Sequence, residues 1–168
     1  MVQSTVSHLI QSALVRIRCH GMQDLHNPLD SGVLLGGGRL KITQIMRKTG
    51  DSDTSFTATG MSLAFLSVCE TAKGNLELPD EAMHLAATLI FARFRGIVAT
   101  MWTIADDGPK VADSLYEYLF KNCDASSDPP IIPDLTEAAS ALHIAVGKLR
   151  EDPSVGFMRW VPFVDYGL

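Results

Sequence analysis

The octapeptide MSLAFLSV, Met61–Val68, is apolar without the in-and-out alternation of a half-exposed strand. A run this short suits a strand covered on both faces, the mark of a parallel sheet carrying helices on either side. GIVATMW, Gly96–Trp102, reads in the same way. Between them, Asp80 can cap a helix, with Pro79 before it and Glu81 in its first turn. Met83, Ala86, Ala87, Ile90 and Phe94 recur along it at helical spacing.

The same reading extends outward in both directions. Upstream, residues 3–12 suit a short helix, LVRIRC (Leu14–Cys19) a strand, and SGVLLGGGRLKI (Ser31–Ile42) a hairpin turning at Gly36–Gly38. RKTGDSDTS (Arg47–Ser55) reads as a polar surface loop. Downstream, Pro109 sits where a first helical turn tolerates it, in a helix expected to reach about Phe120. NCDASSDPPIIPD is an exposed loop, and Leu135, Ala138, Leu142, Val146 and Leu149 mark a long amphipathic helix. WVPFV (Trp160–Val164) is the last strand, an edge because Pro162 lacks an N–H. Buried strands alternating with helices give an α/β domain with a mostly parallel sheet. Neither a repeat nor a second domain is visible.

Bulk properties narrow the function. With 168 residues, 46% of them hydrophobic and 20% charged, the chain can build one core. A net charge of −5 argues against a nucleic-acid binder. The longest apolar window, LAATLIFA, stops at Arg93, far short of a membrane span. The N-terminus lacks the basic start and apolar centre of a signal peptide. Cys19, Cys69 and Cys123 are odd in number without CxxC spacing, so neither a disulfide framework nor a zinc site is expected. Free thiols point to a reducing, cytoplasmic setting.

Two of the expected strands end on reactive side chains: His20 follows one and Cys69 the other. In an open parallel sheet such groups collect in the crevice beyond the strands' carboxyl ends. Only a thiolate attacks efficiently, and an adjacent imidazole stabilises it, then protonates a leaving amine. Gly21 keeps the space beside His20 clear, so its N–H and that of Cys69 can meet a developing oxyanion. The separation, 69 − 20 = 49 residues, agrees with the caspase pattern of a histidine about 50 residues before the cysteine. A strand-end cysteine alone is more often buried and inert. The residue pattern by itself leaves both readings open.

At these residues the chain resembles the CHAT domain, a caspase-like relative of separase often found after tetratricopeptide repeats. The resemblance runs from Leu14 to the C-terminus through CHG (19–21), NPLDSGVLL (27–35), LSVCETAKG (66–74), LPDEAMHLAATLIFARFRGIVATMW (78–102) and RWVPFVDYG (159–167). It implies a three-layer sandwich and peptide-bond hydrolysis by a dyad, with His20 on the family histidine and Cys69 on the nucleophile. It implies no metal or organic cofactor. The expected partners are a protein or peptide substrate and an upstream repeat or receptor region, or a chain completing the sheet. Val68 stands where relatives commonly carry alanine. A caspase-like sheet has two strands before the one ending in histidine, and only 13 residues precede Leu14. The expectation is therefore a single domain, residues 1–168, shortened at its N-terminus, with LVRIRC as an exposed edge. An inactive regulatory or interaction module is the alternative.

The other features are plainer. Asp24 and Glu70 flank the expected dyad as pocket candidates for a basic side chain, or as solvated carboxylates. His84 and His143 lie within expected helices, away from other ligands. Trp102 and Trp160 look like core anchors, and Cys123 is a loop or helix-end thiol. Gly36–Gly38 lacks the lysine and following helix of a phosphate-binding loop.

Overall fold

In the computed structural model, residues 12–18, 20–22, 24, 27–36, 38–50, 62–67, 69–70, 81–91, 94–102 and 107–167 are described. The expected helix at residues 3–12 and the Asp80 cap fall outside them almost entirely, as does Cys19. The large sheet contains β1 (Leu14–Ile17), β5 (Leu63–Leu66), β7 (Gly96–Thr100) and β8 (Phe163–Gly167), in the order β1-β5-β7-β8. The first three strands run parallel, and β8 is antiparallel to β7. The small sheet has the order β4-β3-β2-β6. Its members are β2 (His20–Met22), β3 (Gly32–Leu35), β4 (Gly38–Lys41) and β6 (Cys69–Glu70).

Alternation along the large sheet divides the core into two layers. Ala64, Leu66, Ile97 and Ala99 pack with Ile45 of α1 (Ile42–Gly50) and with Leu85, Ala86 and Leu89 of α2 (Glu81–Phe91). Leu63, Phe65 and Val98 pack on the opposite side against α3 (Asp107–Phe120) and α4 (Ala138–Arg150). Helices on both faces make this a three-layer α/β sandwich with a mostly parallel central sheet, as expected. MSLAFLSV supplies the strand buried on both faces: every residue of β5 is buried. Among the described residues β1 is an edge of the large sheet, and β8 is the other edge.

Several boundaries differ from the sequence expectation. Arg47–Gly50 belongs to α1, where Ile42 and Ile45 anchor the helix to the core; the rest of the expected polar loop, residues 51–55, lies outside the described residues. The Gln44 side chain accepts from the Lys41 N–H at 2.9 Å and closes the start of that helix. Among the residues of α2 whose burial is described, Leu85, Ala86, Thr88 and Leu89 are buried, whereas Ala87, Ile90 and Phe91 face solvent. Phe94 is buried just beyond the helix. The last strand starts at Phe163, because Pro162 has no N–H for the ladder and Trp160 lies in the short helix α5 (Phe157–Trp160). The hairpin is where it was expected, and Gly38 at φ 130° supplies a turn conformation that side chains disfavour.

Candidate active site

The chain passes from β1 to β2 through Arg18 and Cys19, and from β5 to β6 through Ser67 and Val68. Both runs leave the large sheet and enter the small one together. In the large sheet Leu14 pairs with Leu63 and Ile17 with Leu66, an offset of 63 − 14 = 49. The Ser67 N–H donates to the Ile17 carbonyl at 3.0 Å and carries the ladder onward. In the small sheet His20 pairs with Cys69 and Gly21 with Glu70, again an offset of 69 − 20 = 49. The spacing noted in the sequence is thus the register of one parallel ladder that spans both sheets.

His20 and Cys69 therefore do not close their strands, as the sequence suggested. Each opens a second strand in the small sheet. Residue type could not mark that break, because it lies in a change of hydrogen-bonding partners. The last β5–β7 pair is Phe65 with Val98, and beyond it the antiparallel β3 lies beside β2 instead.

Register also separates the two faces of the small sheet. Arg39, Leu34, His20 and Cys69 form one row, since Leu34 pairs with both Arg39 and His20. The next row holds Leu40, Val33, Gly21 and Glu70. Val33 and Leu40 are buried in the core, whereas Leu34 is 40% exposed. Neighbours across strands share a face of the pleat. Leu34 is thus on the face opposite Val33 and Leu40. The side chains of His20, Gly21, Cys69 and Glu70 lie outside what is described.

The connection from β2 to β3 is pinned by its own side chains. The Asp24 carboxylate accepts from the Asn27 N–H, and the Asp24 N–H donates to the Ser31 hydroxyl, both at 3.0 Å. Asn27 Nδ2 donates to Asp30, as does Lys41 Nζ at 2.9 Å. The lysine hydrogen bond holds the Asp30 carboxyl below the ordinary carboxylate value. Asp24 is half-buried and works within this loop.

The remaining candidates lie elsewhere. Cys123 follows α3 and its thiol donates to the Leu119 carbonyl at 3.6 Å. His143 is exposed on α4, and the side chain of His84 is outside the described set. Trp160 packs against the core as expected, edge-to-face with Phe157 and beneath Arg150. Trp102 is not a core anchor. It is half-buried past the end of β7, where its indole N–H donates to the Met158 carbonyl at 3.1 Å. That bond needs a partner 56 residues away, which no local pattern announces.

A charged pair escaped the sequence reading altogether. Asp107 is fully buried at the start of α3 and accepts from Arg159 Nε at 2.6 Å and Nη2 at 2.8 Å. Its hydrogen bonds raise the Arg159 pKa. The only local signal was an acid in a first helical turn, where the helix dipole favours it.

A family model for the CHAT domain matches residues 3–167, essentially the whole chain. The chain belongs to the CHAT family. That membership places it among the caspase-like peptidases. A search among curated proteins found no match. Among the described residues no helix is long and apolar enough to cross a membrane.

Proposed function

We propose that this CHAT domain is a cysteine endopeptidase in which Cys69 attacks the peptide carbonyl and His20 moves the protons. The observation that supports it most directly is the backbone pairing of His20 with Cys69 in the small sheet. Side chains on register partners are within reach of one another. An imidazole beside a thiol draws off its proton and holds the resulting thiolate. The thiolate adds to the scissile carbonyl, and the N–H groups of Gly21 and Cys69 stabilise the tetrahedral oxyanion. Imidazolium then protonates the leaving amine as the acyl-enzyme forms. Water, deprotonated by His20, hydrolyses that thioester and restores the thiol. Each step draws on side chains and amides of this chain. The substrate is a protein or peptide, and Asp24 and Glu70 border the site.

Competitive labelling tests the dyad. Iodoacetamide at neutral pH should alkylate Cys69 faster than Cys19 or Cys123, and His20→Ala should slow that reaction about tenfold or more. Cys69→Ala should abolish peptide hydrolysis. Equal labelling of all three thiols, indifferent to His20, would leave an inactive interaction module as the reading.

A further inference from the structure

We infer that Trp102, Met101, Phe157 and Met158 form an apolar subsite that receives a large hydrophobic side chain of the peptide substrate. This subsite presupposes the dyad chemistry above and adds to it the class of residue recognised. Its position follows from the adjacency of β5 and β7. Ala64 pairs with Ile97 and Phe65 with Val98, an offset of 97 − 64 = 33. Trp102 lies two residues past the end of β7, and Cys69 three past the end of β5. Both residues lie past the carboxyl ends of adjacent parallel strands, the edge at which open α/β sheets bind ligands.

The surface there is apolar and rigidly mounted. Met101, Phe157 and Met158 are 42%, 59% and 62% exposed. Isolated exposed apolar residues need no explanation, but these are carried on clamped backbone. The Met101 N–H donates to the Pro162 carbonyl at 2.9 Å, and the Trp102 indole is tied to Met158. Arg159, next in sequence, is held by both oxygens of buried Asp107. Phe157 rests edge-to-face on Trp160 with centroids 4.9 Å apart. The end of β7 and the start of α3 are thus both fastened to α5, which displays two large apolar side chains. Aromatic rings and adaptable thioethers on a fixed frame suit a site that accepts Leu, Phe or Met.

The test compares peptidyl acyloxymethyl ketones that differ only in carrying Leu, Lys or Asp at one of the three positions before the reactive group. Iodoacetamide reports the dyad separately. At the recognised position the Leu probe should alkylate Cys69 about tenfold faster than the Lys or Asp probe. Met158→Glu should remove most of that preference, since its side chain is exposed and its carbonyl still accepts from Trp102. Met101→Glu, on a different element, should act in the same direction. A Leu preference untouched by both variants overturns the subsite, as does a wild-type preference for Lys or Asp. A Cys69 that reacts with iodoacetamide independently of His20 removes the dyad and the subsite together. His20-dependent labelling without apolar preference removes the subsite alone.

Discussion

The two sheets share two continuous runs of chain and one parallel register, yet they are held in opposite ways. In the large sheet Ala64, Phe65, Ile97 and Val98 are sealed between helices on both sides. In the small sheet Val33, Leu35 and Leu40 meet the core, whereas Leu34 between them is exposed. The buried sheet fixes alignment over four residue pairs, and the open one inherits that alignment for two. A pairing of two residues is too short to hold its own register. The stabilising burial thus belongs to the large sheet, and the proposed dyad to the less enclosed one.

Removing the Phe65 ring challenges this division most severely. Phe65 is fully enclosed and its ring lies 6.3 Å from that of Tyr116. Phe65→Ala should cost about 4 kcal/mol in urea unfolding. A cost under about 1 kcal/mol would show that the large sheet is not the stabilising half.

Gly32→Ala strikes the small sheet instead. A Cβ at that position would run into the Leu40 carbonyl oxygen, so the pairing of β3 with β4 must open. The expected loss is about 2 kcal/mol. Amides of β3 and β4 should lose hydrogen-exchange protection while those of β5 and β7 keep theirs. Simultaneous loss in both sheets would mean that they unfold as one unit.

The smallest effect sharpens the comparison at the far edge. Burial raises the pKa of Asp165 on β8 above its ordinary value of 3.8, and one of its carboxylate oxygens is buried without a hydrogen-bond partner. A raised folded pKa means that the fold favours the protonated acid. That stability is present below the ordinary value and is lost as pH rises through the folded pKa. Asp165→Asn should therefore raise stability at neutral pH by about 0.5 kcal/mol after solvent screening. Near pH 3 it should change nothing. A thermal shift of the same size at both pH values would rule out the charge as its origin.

Much of the scaffold was legible in the sequence. Leu63–Leu66 and Gly96–Thr100 declared themselves as buried strands because nothing polar interrupts them. Leu142 and Leu149 declared a helix because apolar side chains recur at its period. Gly38 declared a turn. Even the interval between His20 and Cys69 was readable as a number, though not as a ladder.

Tertiary structure decided the rest. It converted that interval into register, carried each chain segment from one sheet into another, and joined Asp107 to Arg159 across 52 residues. It also left Trp102 half-buried past the end of β7, tied to the Met158 carbonyl. Propensity and periodicity act among near neighbours in the chain and are written locally. Pairing partners, and the face a residue shows to water, depend on segments that meet only once the layers have closed.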